Sequence, residues 1–191
     1  MDRTIYLIRH GMTLGNSEKR YIGVTDEPLT ESGKFELKQM LYPKVDMVFT
    51  SPLIRAVQTA EIIYPKQKPI LIDDIRETDF GEFEGKNYQD LEDDPKYESW
   101  LETGGHGAFP GGESPVVVTI RAINGFNQIL AMADDAKNIA IITHGGIIMS
   151  ILQELFEGDF YDYHVENGKG YSFEISSDGI CSGLCDRLYD R

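Results

Sequence analysis

Residues 4 to 8 (Thr, Ile, Tyr, Leu, Ile) form a β-branched and aromatic run without polar alternation, the pattern of a strand buried on both faces of a parallel sheet. The run Asn138-Ile139-Ala140-Ile141-Ile142-Thr143 has the same character late in the chain. Asp46 to Phe49 and Ile70 to Ile72 read as shorter strands, and residues 171 to 175 as a final one. Helix signals lie between them. Thr30 opens a helical stretch to about Leu41, and Ser51-Pro52 supplies an N-cap and a first-turn proline for a helix to about Tyr64. Ser114-Pro115 does the same for a longer helix, and Gly145 to Phe156 reads as a helix following the Asn138 strand. Val116-Val117-Val118 has the composition of a strand, but the Ser-Pro cap and the spacing of Ile120, Ile123, Phe126, Ile129 and Leu130 predict helix. Strands thus alternate with helices, without repeats or a low-complexity linker, which is the pattern of a layered α/β structure.

The size and composition fit one core: 191 residues, 41% hydrophobic and 26% charged, predict a single domain over residues 1–191. No apolar run of about 18 residues and no basic-then-apolar leader is present, so the expected location is cytoplasmic. A net charge of -14 argues against nucleic acid or an anionic membrane as a partner, because both require a basic footprint. A phosphate substrate stays compatible with that charge, since charges beyond about 8 Å are largely screened at physiological ionic strength. Cys181 and Cys185 are too few for a disulfide scaffold and lack the four ligands of a structural zinc site.

Two of the predicted strands end in the same device. Leu7-Ile8 runs into Arg9-His10-Gly11, and Ile142-Thr143 into His144-Gly145-Gly146. In open α/β sheets ligands bind beyond the carboxyl ends of the strands, and glycine lets backbone approach an anion closely. If the two strands are parallel neighbours, about 4.8 Å apart, His10 and His144 can grip one phosphoryl group. Periodicity alone leaves that adjacency open.

The segments around this device resemble the histidine phosphatase superfamily, also called phosphoglycerate mutase-like. Arg9 to Asn16 (R-H-G-M-T-L-G-N), Arg20-Tyr21-Ile22-Gly23 and Asp26 to Gly33 are similar to its first stretch. Thr50 to Ala60, Glu77 to Gly85, Pro110-Gly111-Gly112-Glu113-Ser114 and Thr143 to Gly146 follow in the family's order. The resemblance runs from residue 5 to about 150, and the last 40 residues resemble nothing specific.

The resemblance implies a three-layer α/β/α sandwich with a mostly parallel central sheet, and chemistry that needs neither metal nor cofactor. It assigns His10 as the nucleophile, forming a phosphohistidine that water then hydrolyses. Arg9 and Arg55 become clamps for the phosphoryl oxygens, a task suited to guanidinium forks that stay charged at any working pH. His144, with Gly145 behind it at a helix N-terminus, adds a donor and a favourable dipole. Glu77 is the implied proton donor for the leaving alcohol, with Asp79, Glu82 and Glu84 as rivals. Thr13, Asn16, Arg20, Tyr21 and Gly145 are implied to line the substrate pocket. His106 and His164 lie outside every motif and read as solvated.

Reaction type turns on the insert at residues 86–112, expected to lie over the site and set specificity. A mutase must hold a second phosphate or carboxylate, which calls for extra basic groups. Between Lys86 and Pro110 the only cations are Lys86 and Lys96, against Asp90, Glu92, Asp93, Asp94, Glu98 and Glu102. That balance favours a phosphatase acting on a small phosphomonoester, with phosphoglycerate mutase as the alternative. α-Ribazole 5'-phosphate, a sugar phosphate and phosphoglycerate all stay open as substrates. Tyr21, Phe83, Tyr88, Tyr97 and Trp100 are available as an aromatic wall for its organic part, or as core. An inactive binding or scaffold member is a further alternative, opposed by the complete set Arg9, His10, Arg55, Glu77 and His144. Oligomeric state is not written in the chain.

Overall fold

The structure, a computed structural model, describes residues 2–186. Its centre is a six-stranded mixed sheet built from β1 (Arg3–Arg9), β2 (Met47–Thr50), β3 (Ile70–Leu71), β4 (Asn138–Thr143), β5 (Gly170–Ile175) and β6 (Cys181–Cys185). The spatial order is β3-β2-β4-β1-β5-β6. β3, β2, β4 and β1 run parallel, whereas β5 pairs antiparallel with β1 and β6 antiparallel with β5. The predicted strands all form; β6, a half-exposed edge strand with Gly183 in it, has no apolar run to announce it.

The lack of polar alternation in β1 and β4 follows from burial on both faces. Ile5, Leu7, Ile139 and Ile141 point into one core with α6 (Pro115–Met132) and α7 (Gly145–Leu155). Ile8, Ala140 and Ile142 point into the other, against Ala56 and Ala60 of α3 (Ile54–Ile63). α2 (Glu31–Gln39), capped by Thr30, packs against α3 and completes that outer layer. The arrangement is the expected mostly parallel sheet between helical layers. Among the described residues no helix is long and apolar enough to cross a membrane.

Two local expectations meet different outcomes. Val116-Val117-Val118 is helical: Ser114 accepts from Val117 N, Pro115 sits in the first turn, and only Val118 of the three valines is buried. Ser51-Pro52, by contrast, does not cap α3, whose N-cap is Leu53 without a side-chain bond. Ser51 is fully buried; its Oγ accepts from Leu53 N at 3.3 Å, a turn before the helix, and meets His144 Nε2 at 2.8 Å.

Three shorter helices lie outside the layers: α1 (Leu14–Ser17), α4 (Tyr88–Leu91) and α5 (Pro95–Glu102). α4 and α5 belong to the insert, which packs on an aromatic cluster that it shares with Tyr21, Phe80 and Phe83 from outside it. Phe83, Leu91 and Trp100 are buried there, with Tyr21, Phe80, Tyr97 and Phe109 packed against them.

Candidate active site

β1 and β4 are hydrogen-bonded neighbours in register Arg9↔Thr143, so the next residue of each, His10 and His144, emerges at the same carboxyl edge. Their ring centroids are 5.1 Å apart. Both rings are almost wholly buried, at 3% and 0% exposure. Burial, with Arg55 and Arg9 nearby, holds the His10 imidazole well below the ordinary histidine range, although the Gly11 carbonyl works in the opposite direction. Burial, Arg55, His10 and Arg9 do the same to His144. Both histidines are therefore neutral at pH 7.

The hydrogen bonds settle which nitrogen carries each proton. His10 Nδ1 lies 2.7 Å from Gly11 O, a carbonyl that can only accept, so Nδ1–H donates and Nε2 keeps its lone pair. At His144 the assignment is reversed. Arg55 Nε donates to Nδ1 at 3.3 Å, which leaves the proton on Nε2, donated to Ser51 Oγ at 2.8 Å. Both ring nitrogens of His144 are thus engaged within the protein, and a phosphoryl oxygen reaching Nε2–H has to share it with Ser51.

Arg55 is fully buried. Besides His144, it donates to Thr25 O (2.8 Å), Ile22 O (3.3 Å) and Gly23 O (2.8 Å), tying the loop after α1 to the carboxyl edge of the sheet. Arg9 Nη1 donates to Val165 O at 2.7 Å, while its Nε is buried without a hydrogen-bond partner. An unpaired buried guanidinium donor is costly, and an anion is the partner that would satisfy it. Burial lowers the basicity of both arginines, and the nearby carboxylate of Glu77 pulls it back up.

Glu77 is 8% exposed and sits opposite the start of α7. Its Oε1 accepts from Thr78 N at 2.9 Å and its Oε2 from Gly146 N at 3.2 Å. A Cβ on Gly146 would lie 2.6 Å from Oε1, so this helix start accommodates the carboxylate only as glycine. The rival acids are occupied elsewhere. Asp79 accepts from Gly81 N, Glu82 pairs with Lys96 at the surface, and Glu84 accepts from Gly23 N and Thr25 N.

The residues read as pocket lining divide into two groups. Thr13 and Asn16 form a capping box on α1: Thr13 Oγ1 accepts from Asn16 N and Asn16 Oδ1 from Thr13 N, both at 3.3 Å. Thr13 is fully buried, whereas Asn16 reaches a pocket of about 530 Å³ whose lining includes Arg9, Arg20, Tyr21 and His164. Arg20 is bound at 2.6 Å to both Glu18 and Asp90, joining the first stretch to the insert. Tyr21 is the hub of the insert's aromatic cluster, with edge contacts to Phe80, Tyr97, Trp100 and Phe109. Gly145 opens α7 beneath the Arg9 guanidinium.

Sequence reading missed contributions from Ser51 and from the final 40 residues. Asn167 Nδ2 donates to His10 O (3.1 Å), Gly11 O (3.3 Å) and Asn16 Oδ1 (2.9 Å), and Gly168 N donates to Arg9 O at 3.0 Å. The one signal available was Asn167-Gly168, a turn dipeptide directly before the β5 run. His164, read as merely solvated, is exposed but lines the pocket.

A mostly parallel α/β sheet carrying paired histidines and arginines at its carboxyl edge is the phosphoglycerate mutase-like fold. The chain belongs to the histidine phosphatase superfamily (branch 1), whose family model matches residues 5–182 and so extends the resemblance well past residue 150. It is 32% identical over 166 residues to a 2,3-bisphosphoglycerate-dependent phosphoglycerate mutase of Gloeobacter violaceus, covering 79% of this chain and 74% of the relative. It is 30% identical to the adenosylcobalamin/α-ribazole phosphatase of Escherichia coli, covering 79% of this chain and 78% of that one. The crystal structure of the α-ribazole phosphatase from Shigella flexneri superimposes with a TM-score of 0.84 at 25% identity, covering 98% of each chain.

Proposed function

We propose that this protein hydrolyses a small phosphomonoester through a phosphohistidine on His10, without a metal. The observation that carries the reading is the protonation of His10. With Nδ1–H fixed on Gly11 O, Nε2 presents its lone pair beside Arg9, Arg55 and His144 in a buried, anion-seeking edge.

In the first step Nε2 attacks phosphorus, the N–P bond forms and the P–O bond to the alcohol breaks. Arg9, Arg55 and the His144 Nε2–H stabilise the non-bridging oxygens, and the Glu77 carboxyl gives its proton to the departing alkoxide. In the second step the Glu77 carboxylate takes a proton from water, the water oxygen bonds to phosphorus, and the N–P bond breaks to release phosphate and regenerate His10. The insert at 86–112, held to the first stretch by Arg20 and Tyr21, shapes the space for the alcohol. Lys96 of that insert is tied to Glu82, which supports hydrolysis over phosphoryl exchange. α-Ribazole 5'-phosphate and sugar phosphates are the first substrates to test.

A second reading, phosphoglycerate mutase, draws on the pocket beside Arg9, where Lys19, Arg20 and Lys169 supply cations from outside the insert. The deciding experiment measures phosphate release from a chromogenic phosphomonoester in EDTA by wild type and His10→Ala, with trapping of acid-labile, base-stable phosphoprotein. Release and trapping by wild type alone supports the phosphatase; isomerisation of 3-phosphoglycerate outpacing its hydrolysis, with the bisphosphate present, replaces it by the mutase.

A further inference from the structure

The Pro110-to-Ser114 motif contributes no group to the reaction above, yet its Glu113 anchors the least exposed ion pair among the described residues. Arg121 Nε and Nη2 donate to Glu113 Oε1 and Oε2 at 3.0 and 2.7 Å, a bidentate pair whose side chains are only 9% and 16% exposed. The rest of the guanidinium is spent on one short stretch of backbone. Nη1 donates to Asp74 O at 3.0 Å and Arg76 O at 2.7 Å, and Nη2 makes a longer contact with Glu77 O at 3.4 Å.

Glu113 holds the other side of the same stretch. Its Oε2 accepts from Asp79 N at 2.9 Å, and its own N–H donates to Asp79 O at 2.9 Å. Gly112, directly before it, lies so close that a Cβ would collide with Asp79 O. The backbone is therefore gripped before, at and after Glu77 by two residues that do not touch the reacting edge. A buried ion pair adds little net stability compared with apolar packing, so its value here is in the geometry it imposes.

We propose that Glu113 and Arg121 are positioning residues for Glu77, fixing residues 74–79 so that its carboxyl meets the leaving oxygen. The inference rests on Glu77 being the proton donor of the reaction proposed above. It makes a prediction that a general structural role does not. An alkoxide needs the donated proton to leave, whereas p-nitrophenolate departs readily without it, so a misplaced donor harms alkyl phosphates selectively.

The test compares kcat/KM for an alkyl phosphate and p-nitrophenyl phosphate in wild type, Glu77→Gln, Glu113→Gln and Arg121→Lys. A double variant, Glu113→Gln with Arg121→Met, removes both charges so that neither is left buried alone if a single variant unfolds. Expected is a loss on the alkyl phosphate at least about tenfold greater than on the aryl one for Glu77→Gln and for the folded clamp variants. Formation of phospho-His10 from the aryl substrate, followed by rapid quench, should keep its wild-type rate in the clamp variants, while its hydrolysis, which also calls on Glu77, slows so that the intermediate accumulates. Equal losses on both substrates, or none, in the clamp variants while Glu77→Gln discriminates would overturn the positioning role. Absence of discrimination in Glu77→Gln itself would instead remove Glu77 as the donor, and the proposal with it.

Discussion

His10 and His144 face each other at 5.1 Å between ring centroids because Arg9 and Thr143, the last residues of their strands, are paired across adjacent parallel strands. The two protons are placed oppositely: on Nδ1 in His10, where Gly11 O accepts it, and on Nε2 in His144, where Arg55 occupies Nδ1. In the reaction proposed above, one ring attacks and the other donates.

That division predicts different phenotypes. His10→Ala should lower activity by more than about a thousandfold and abolish the trapped phosphoprotein, as loss of a covalent nucleophile does. His144→Gln should still form the phosphoprotein but slow its formation by about 10²- to 10³-fold, the loss typical of one transition-state donor. Rapid-quench labelling separates the two, and a labelled His10→Ala protein would exclude His10 as the phosphorylated residue.

Gly146→Ala should affect stability and activity differently. Alanine improves helix propensity by up to about 1 kcal/mol, and the atom its Cβ would meet at 2.6 Å is the far end of the Glu77 side chain, which can move. Moving it breaks the Gly146 N–H bond to Glu77 and withdraws the proton donor. Thermal unfolding should show little destabilisation while hydrolysis of an alkyl phosphate falls at least about tenfold. Full activity in a folded variant would show that Glu77 need not stay where Gly146 holds it.

The buried histidines also set a pH dependence of stability. Their folded pKa values are depressed, chiefly by burial, below the unfolded value of about 6.5. As pH falls through about 6.5 the unfolded chain takes up protons that the native state does not, so this stability, present above that pH, is lost on acidification. Each histidine contributes a slope of at most about 1.4 kcal/mol per pH unit. Urea unfolding between pH 7 and 5 should therefore be less steeply pH-dependent in His144→Gln than in wild type; identical slopes would mean that His144 titrates normally in the fold.

Activity should be unchanged by EDTA. In the proposed reaction Arg9 and Arg55 supply the positive charge that a divalent ion supplies in metal-dependent phosphatases. Loss of activity on chelation, restored by a divalent ion, would require a different mechanism.

Much of this framework was legible because it is local. Unbroken apolar runs announce β1 and β4, since both faces of each strand are covered, and Ser114-Pro115 announces α6 despite three valines in its first turn. The predicted cap at Ser51 was misplaced: the helix starts two residues later, Ser51 Oγ accepting only from Leu53 N locally, and its shorter contact is with a histidine far away in sequence. Asn167 was invisible as a site residue because its partners, His10 O, Gly11 O and Asn16, are reached only when β5 docks antiparallel beside β1.

By itself the sequence determined β1 to β5 and the longer helices α2, α3, α6 and α7, that two strands end in His-Gly, and that guanidinium and imidazole groups are available to an anion. Periodicity and capping chemistry act over a few residues and carry that information. Only the tertiary structure decided that β1 lies next to β4, that Glu77 faces α7 while Asp79, Glu82 and Glu84 are engaged elsewhere, and which nitrogen of each histidine holds the proton. Those outcomes depend on which distant groups share a buried hydrogen bond, and an apolar pattern specifies that a face is covered without specifying its neighbour.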